Sequence, residues 1–387
     1  MPAIAPTLQH MIGGLIATPS ISSVNPSLDQ GNLAVVELLA AWLETLGFDC
    51  EILPLQSHAN KANLIATLGH GPGGLVLAGH TDTVPYDEGR WQHDPFKLID
   101  KDKRFYGLGT SDMKSFLALA IEAAKDFHEK TLQQPLIILA TADEETSMSG
   151  ARELMQLGRP KARYAVIGEP TNLAPVRTHK GMLMEAIRIN GRSGHSSDPL
   201  LGNNALIGMY KVLGELLKWQ EELKLQYHDP IFNVPYPSLN LGHIHGGDNP
   251  NRICGHCELH IDIRPLPGMD IEELQAMLQQ RMVRSIQATG LSVDIHHLMP
   301  ATPAMATAAD GRLVQAVEQL THHPAGAAAY STEGPFLNQM GMETVILGPG
   351  HIAQAHQPDE YLDHATIRPM LQILQQLINQ FCLAPMQ

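Results

Sequence analysis

The sequence predicts an α/β protein: a domain with a mostly parallel sheet, carrying a smaller ferredoxin-like domain inserted in it. Three observations predict this. Short apolar runs alternate with helix-like segments up to about residue 180, the pattern of a largely parallel sheet covered by helices. Between residues 181 and 300 the order becomes β-α-β-β-α-β, a split βαβ unit. From about residue 301 the first pattern returns. Residues 1–180 and 301–387 are therefore expected to form one domain and residues 181–300 the insertion.

Each element has its own signal. Leu33, Val36, Leu39, Ala40 and Leu43 recur at helical spacing, and Gly47 stops that helix. The apolar run 75–79 reads as a buried strand ending at His80. A second helix opens at Asp112, with Met113, Phe116, Leu117, Ala120, Ile121 and Ala124 on one face. The run 136–140 is a strand leading into Asp143-Glu144-Glu145. The run 165–168 delivers Glu169, and Pro170 turns the chain away. In the insertion, 182–189, 238–245, 257–263 and 291–295 read as strands, and 205–217 and 271–282 as helices. Beyond it, 310–320 is a helix, 344–347 a strand and 367–381 a last helix.

The chain of 387 residues suits two domains, and 44% apolar content is ample for packed cores. A net charge of −14 with no Lys/Arg block disfavours nucleic acid and anionic membranes as partners. Twenty histidines are too many for their number alone to identify a site. Cys50, Cys254, Cys257 and Cys382 are too few for a disulfide scaffold and suit a reducing cytoplasm. Cys254-Gly255-His256-Cys257 has no second pair and sits among alternating apolar residues, so it reads as strand rather than zinc knuckle or redox pair. Residues 1–6 lack a basic region before an apolar core, which predicts no signal peptide. No apolar run approaches the ~20 residues of a membrane span. A cytoplasmic protein is expected.

The chemistry concentrates at strand ends. His80, Glu145 and Glu169 follow predicted strands, and groups just past the carboxyl ends of parallel strands share one crevice. With Asp112 they make a mixed imidazole and carboxylate set of the kind that holds divalent metals. Asp112, at a helix start, could be only a cap. Asp82 is two residues past His80 and is expected to accept the other imidazole N–H. Adjacent residues in extended chain point apart, so Glu145 is expected to be a ligand and Glu144 the general base. Two cations ~3.5–4 Å apart would lower the pKa of a water between them. His356 lies in a polar loop and by itself reads as a surface residue.

Gly79-His80-Thr81-Asp82-Thr83-Val84-Pro85, Gly107-Leu108-Gly109-Thr110-Ser111-Asp112-Met113-Lys114, Ala142-Asp143-Glu144-Glu145-Thr146, Ile167-Gly168-Glu169-Pro170-Thr171 and Gly191-Arg192-Ser193-Gly194-His195-Ser196 occur in that order. Together they resemble the co-catalytic zinc aminoacylase/carboxypeptidase family, over nearly the whole chain. The resemblance implies a zinc-peptidase-like catalytic domain and hydrolysis of the amide of an N-acylated amino acid. It implies two Zn²⁺ ions, with Co²⁺ able to substitute, and Asp112 bridging them. His80 and Glu169 would complete one site, and Glu145 and His356 the other. Asp82 would orient His80, and Glu144 would be the base. The inserted domain would pair two subunits in a homodimer and lend His195 to the partner's active site. There His195 would stabilise the oxyanion.

Within the family, the segments 87–91, 235–248, 251–254, 262–268 and 355–361 point to deacetylation of a small amino acid with a side-chain ammonium. Its carboxylate would ask for an arginine. Arg264 is the first choice and Arg252 the second, with Asn251 as a neutral donor. Arg264 could instead tie one domain to the other. Glu333 is the candidate for the ammonium, or could support the metal ligands. The competing expectations are the same chemistry on a succinylated amino acid, another acyl amino acid or a dipeptide, and a non-catalytic metal or amino-acid binder on the same fold.

Overall fold

Two six-residue runs, Leu75–His80 and Leu136–Thr141, are buried along their whole length and pair in parallel. Burial on both faces explains why they read as continuous apolar runs rather than as alternation. The computed structural model that shows this describes residues 5–128 and 130–383; residues 1–4 of the segment read as lacking a signal peptide lie outside them. Tyr164–Ile167 joins the other side of Leu75–His80 in parallel, and Glu343–Ile346 pairs beyond it, also in parallel. On the far side, Ala62–Leu68 pairs antiparallel with Leu136–Thr141, and Asp49–Pro54 pairs antiparallel with Ala62–Leu68. The sheet is thus mixed, with a parallel centre. The short 55–61 connection leaves no room for a crossover, so these two strands can only fold back. In register, His80 stands beside Thr141, and Ala78 beside Ile167. The three strands therefore end at one edge.

The helix Lys114–Ala124 is buried on nearly every face. It packs against Leu75–His80 and against helices Leu8–Ile16 and His364–Ile378. Gly168 makes its close approach possible: a Cβ there would fall 1.9 Å from the Phe116 ring. A small sheet was not expected from the sequence. Tyr361–Asp363 pairs with Arg104–Tyr106, which pairs with Ile99–Lys101. Three-residue strands carry too little periodicity to be read in advance.

The chain divides into two units. The first comprises Met1–Arg177, Thr307–Gly326 and Thr332–Gln387; the second comprises Thr178–Ala306 and Ala327–Ser331. The segment Ala327–Ser331, which the sequence reading left with the first domain, returns to the second. The second unit holds strands Leu183–Asn190, Ser238–Gly246, His256–Arg264 and Ser292–His297 and helices Ala205–Gln226 and Ile271–Ile286. Its sheet is antiparallel throughout. Taken as the first to fourth strands of the unit, they stand in the order two, three, one, four, as in a ferredoxin-like fold. Leu183, Ile187, Ile189, Leu259, Ile261 and Ile263 pack with the helices as one core. Cys254 and Cys257 are buried there as free thiols. Among the described residues, no helix is long and apolar enough to cross a membrane.

Candidate active site

The strand Leu75–His80 places a fully buried imidazole at the sheet edge. His80 Nε2 lies 3.1 Å from Asp112 Oδ1 and 3.8 Å from Glu169 Oε1. Glu169 follows the strand Tyr164–Ile167 by two residues and is also buried. Asp112 does not cap the next helix. That helix begins at Lys114, Met113 occupies the cap position, and no side chain makes a capping bond. The Asp112 carboxylate is instead turned to His80. His356 Nε2 lies 3.0 Å from Glu145 Oε2 and 3.7 Å from Asp112 Oδ2. It reaches Glu145 across 211 residues of sequence although its side chain is 54% exposed. The polar loop around His356 thus delivers it to the carboxylates, whereas its local sequence alone suggested a surface residue.

Two groups of donor atoms lie within 4.8 Å of one another: His80 with Glu144 and Glu169, and His80 with Asp112 and Glu145. Glu144 therefore joins the donors rather than standing apart from them. In an extended chain adjacent side chains diverge. Here the segment turns after Asp143, whose φ is +65°, and both glutamates face the His80 region. His80 is the residue common to both groups.

Asp82 behaves differently from expectation. The acceptor for His80 Nδ1 is the backbone carbonyl of Asp82, at 2.9 Å, while its carboxylate is 3.7 Å away. That carboxylate accepts the backbone N–H of Glu144 at 3.2 Å and of Glu145 at 3.1 Å. The chain has left the strand by residue 82, so strand alternation no longer aims its side chain at the ring. The turn at 144–145 presents unpaired donors to it instead.

Two buried carboxylates support the site without a signal in the local sequence. Asp143, buried at 2% exposure, accepts hydrogen bonds from Lys61, Ser22, Thr146 and Ser149 at 2.5, 2.8, 2.7 and 2.9 Å and a further one from Ser147. It anchors the turn that carries Glu144 and Glu145. Glu360, buried at 1%, accepts the N–H groups of Gly109, Ser111 and Asp112 at 2.8, 2.6 and 2.9 Å. The motif around Glu360 matched the family, but no local pattern distinguishes a buried clamp from an exposed acid.

Electrostatics follow from burial and crowding. Burial first, and the Glu169 charge second, hold the Glu144 carboxyl well above its ordinary range. Burial and Asp112 do the same to Glu169 and raise Glu145. Burial alone would lower His80. The hydrogen bond to Asp112 and the charges of Glu169, Asp82 and Glu144 outweigh it and hold the ring well above its usual value. The hydrogen bond from His356 to Glu145 lifts that ring to about 9. Burial pushes Glu333 up to about 7 and Glu360 up to about 8. Glu333 Oε2 accepts from Thr141 Oγ1 at 2.7 Å, and its other oxygen is buried without a hydrogen-bond partner.

The remaining residues singled out by sequence belong to the second unit. His195 is exposed, with Nδ1 2.7 Å from Ser197 Oγ, and its backbone bridges to Arg252. The Asn251 carbonyl accepts the Ser196 N–H at 3.0 Å. These three residues thus lie together on adjoining loops. Arg252 pairs with Asp248 at 2.5 Å and lines a cavity of ≈ 370 Å³ with Ser193, His245 and His256. Arg264, at the end of its strand, pairs with Asp262 at 3.0 Å. That pairing lies inside the second unit.

Residues 76–380 match peptidase family M20/M25/M40. The chain belongs to this family. An acetylornithine deacetylase of Pasteurella multocida (strain Pm70) is 49% identical over 377 residues, covering 97% of this chain and 98% of that protein. One from Edwardsiella ictaluri (strain 93-146) is 51% identical with the same coverage. Among solved structures, a tripeptidase from Staphylococcus aureus superposes with a TM-score of 0.74 at 20% identity, over 98% of this chain and all of that one. A metallo-carboxypeptidase from Sulfolobus solfataricus gives 0.75 at 16% identity, over 96% of this chain and 98% of that one. These two likenesses bear on the fold. Membership of the M20/M25/M40 family makes the chain a metal-dependent hydrolase of amide bonds. The donor set fits that role, because buried carboxylates beside imidazoles are ligands for borderline divalent ions and are costly to crowd together without a cation.

Proposed function

We propose that this protein hydrolyses N2-acetyl-L-ornithine to L-ornithine and acetate, a step of arginine biosynthesis in the cytoplasm. The observation that carries the reading is the near-half identity, along almost the entire chain, to proteins named acetylornithine deacetylase, and the buried donor cluster supplies the chemistry. The cluster would hold two Zn²⁺ ions, or Co²⁺ in their place, through His80, Asp112, Glu145, Glu169 and His356. Bound there, the cations would act as Lewis acids on the amide and lower the pKa of the attacking water.

The protein groups do the rest. Glu144 takes the proton of the attacking water and passes it to the departing nitrogen. Its raised affinity for a proton in the metal-free site would be drawn down by neighbouring cations, toward the range useful for a base. Asp82 holds Glu144 and Glu145 through their backbone N–H groups. His195, lent by the other subunit of a homodimer formed through the inserted unit, would donate to the oxyanion. Arg264, Arg252 and Asn251 are the candidates for the substrate carboxylate. Each arginine already pairs with an aspartate, so a substrate would have to share or displace that partner. Glu333 is the candidate for the ammonium, with one carboxylate oxygen unpaired.

The test is release of acetate from N2-acetyl-L-ornithine by the purified chain, with added Zn²⁺ or Co²⁺ and with chelator. N-succinyl-diaminopimelate and a dipeptide are assayed alongside. Acetate release that the chelator abolishes is expected. A higher kcat/KM on either competitor would move the assignment to another acyl substrate.

A further inference from the structure

One face of the inserted sheet packs against its helices; the other carries imidazoles. Alternation along strands decides which residues share that open face. In the hairpin formed by Ser238–Gly246 and His256–Arg264, His243 stands opposite His260, and His245 opposite Glu258. The register shifts between Leu241 and His243, so the Ser238–Gly246 strand turns His243 and His245 to the same side as His260.

The rings form a row. Centroids are 5.1 Å apart for His260 and His243, 5.6 Å for His243 and His245, and 6.1 Å for His245 and His256. Glu258, 9% exposed, accepts from His260 Nε2 at 2.9 Å. A carboxylate that fixes one ring nitrogen leaves the other as an oriented donor, the arrangement found behind metal-bound histidines. Among the described residues, no protein hydrogen bond engages the rings of His243 or His245. Opposed Cβ atoms in an antiparallel pair stand ~4.5–5.5 Å apart. Among the described residues, the donor atoms that already converge within 4.8 Å lie only at His80, so metal–nitrogen bonds of ~2.0–2.1 Å on this face require the exposed rings of His243 and His245 to rotate toward His260. An all-imidazole donor set suits Zn²⁺, Ni²⁺ or Cu²⁺ and is poor for Mg²⁺ or Ca²⁺.

We propose that His243, His245 and His260 bind a first-row divalent transition-metal ion on the open face of the inserted sheet, as a centre separate from that of His80. His243 and His260 are assigned no part in binding or turnover, whereas His245 lines the Arg252 cavity, so the pair His243 and His260 carries the test. Full-length protein is dialysed against a series of buffered free Zn²⁺ concentrations, and zinc per chain is measured. Wild type is expected to hold one equivalent more than His243→Ala/His260→Ala. His245→Ala is expected to weaken that equivalent by about tenfold. A control, His10→Ala/His323→Ala, removes exposed histidines of the first unit and should match wild type. Unchanged circular dichroism in each variant, and unchanged kcat in His243→Ala/His260→Ala, show that the fold and the first centre are intact. Equal zinc content in wild type and the first double variant across the series overturns the proposal. So does an equal loss in the control.

Discussion

At the scale of single residues, the proposed base and its holder are the most exposed to test. Glu144→Ala is expected to lower kcat by at least about 10²–10⁴-fold, with zinc per chain close to wild type by elemental analysis. Because Glu144 lies within donor distance of His80 and Glu169, loss of one zinc equivalent would instead make it a ligand. Asp82→Ala removes both acceptors of the Glu144 and Glu145 N–H groups. Buried donors left unpaired cost about 1–3 kcal/mol each, so urea unfolding of the chelated protein should show a loss of about 2 kcal/mol or more. Asp82→Asn keeps one acceptor and should lose less. Which residues gather was legible here, because His80, Glu145 and Glu169 each sit just past or near a strand end. What Asp82 touches was not, since its aim depends on a turn that strand periodicity does not describe.

At the scale of elements, the decisive unit is the short segment from His356 to Asp363. Its strand Tyr361–Asp363 pairs with Arg104–Tyr106, just before the loop that ends in Asp112. Between these fixed points Glu360 gathers three N–H groups of that loop. Glu360→Ala is expected to cost about 2–4 kcal/mol of stability and to weaken zinc binding, although the residue is not itself proposed as a ligand. Glu360→Gln keeps an acceptor for Ser111 and Asp112 and should recover part of both losses; equal damage from both variants would argue against the clamp. The long buried strands and the ferredoxin-like order announced themselves through composition and period. The three-residue strands and Glu360 left no such trace, and they are what carry His356 to the other donors.

At the scale of the whole molecule, the buried acids set a pH dependence. Glu333 and Glu360 sit at about 7 and about 8 in the folded chain, against an unfolded value of ~4.3. Between those values the native state binds more protons than the unfolded one. Stability of the chelated protein should therefore rise as pH falls through that window and be lost as pH rises. The Asp143 carboxyl is held below its ordinary range: burial opposes this, but Lys61 and the surrounding hydroxyls prevail. Its contribution is present above ~4 and stays constant over the same window. The thermal midpoint in chelator is expected to be higher at pH 6 than at pH 8.5, and a flat or reversed profile would contradict the assignment of these buried acids. Zinc should raise the midpoint most at the alkaline end, where the ligands are ionised. If His195 acts across a dimer, mixing His195→Ala with Glu144→Ala subunits should restore activity that neither has alone. The division of the chain into two units was visible as a change of period near residue 181. The return of Ala327–Ser331 to the second unit was not, because so short a piece carries no period of its own.

The distance of His356 from its companions along the chain has a consequence during synthesis. Translation releases His80, Asp112, Glu145 and Glu169 early, while the last imidazole and the Glu360 clamp are still unmade. A nascent or prematurely terminated chain thus carries a cluster of acids that nothing closes. Competence for hydrolysis therefore waits until His356 and Glu360 have been made, long after Glu169.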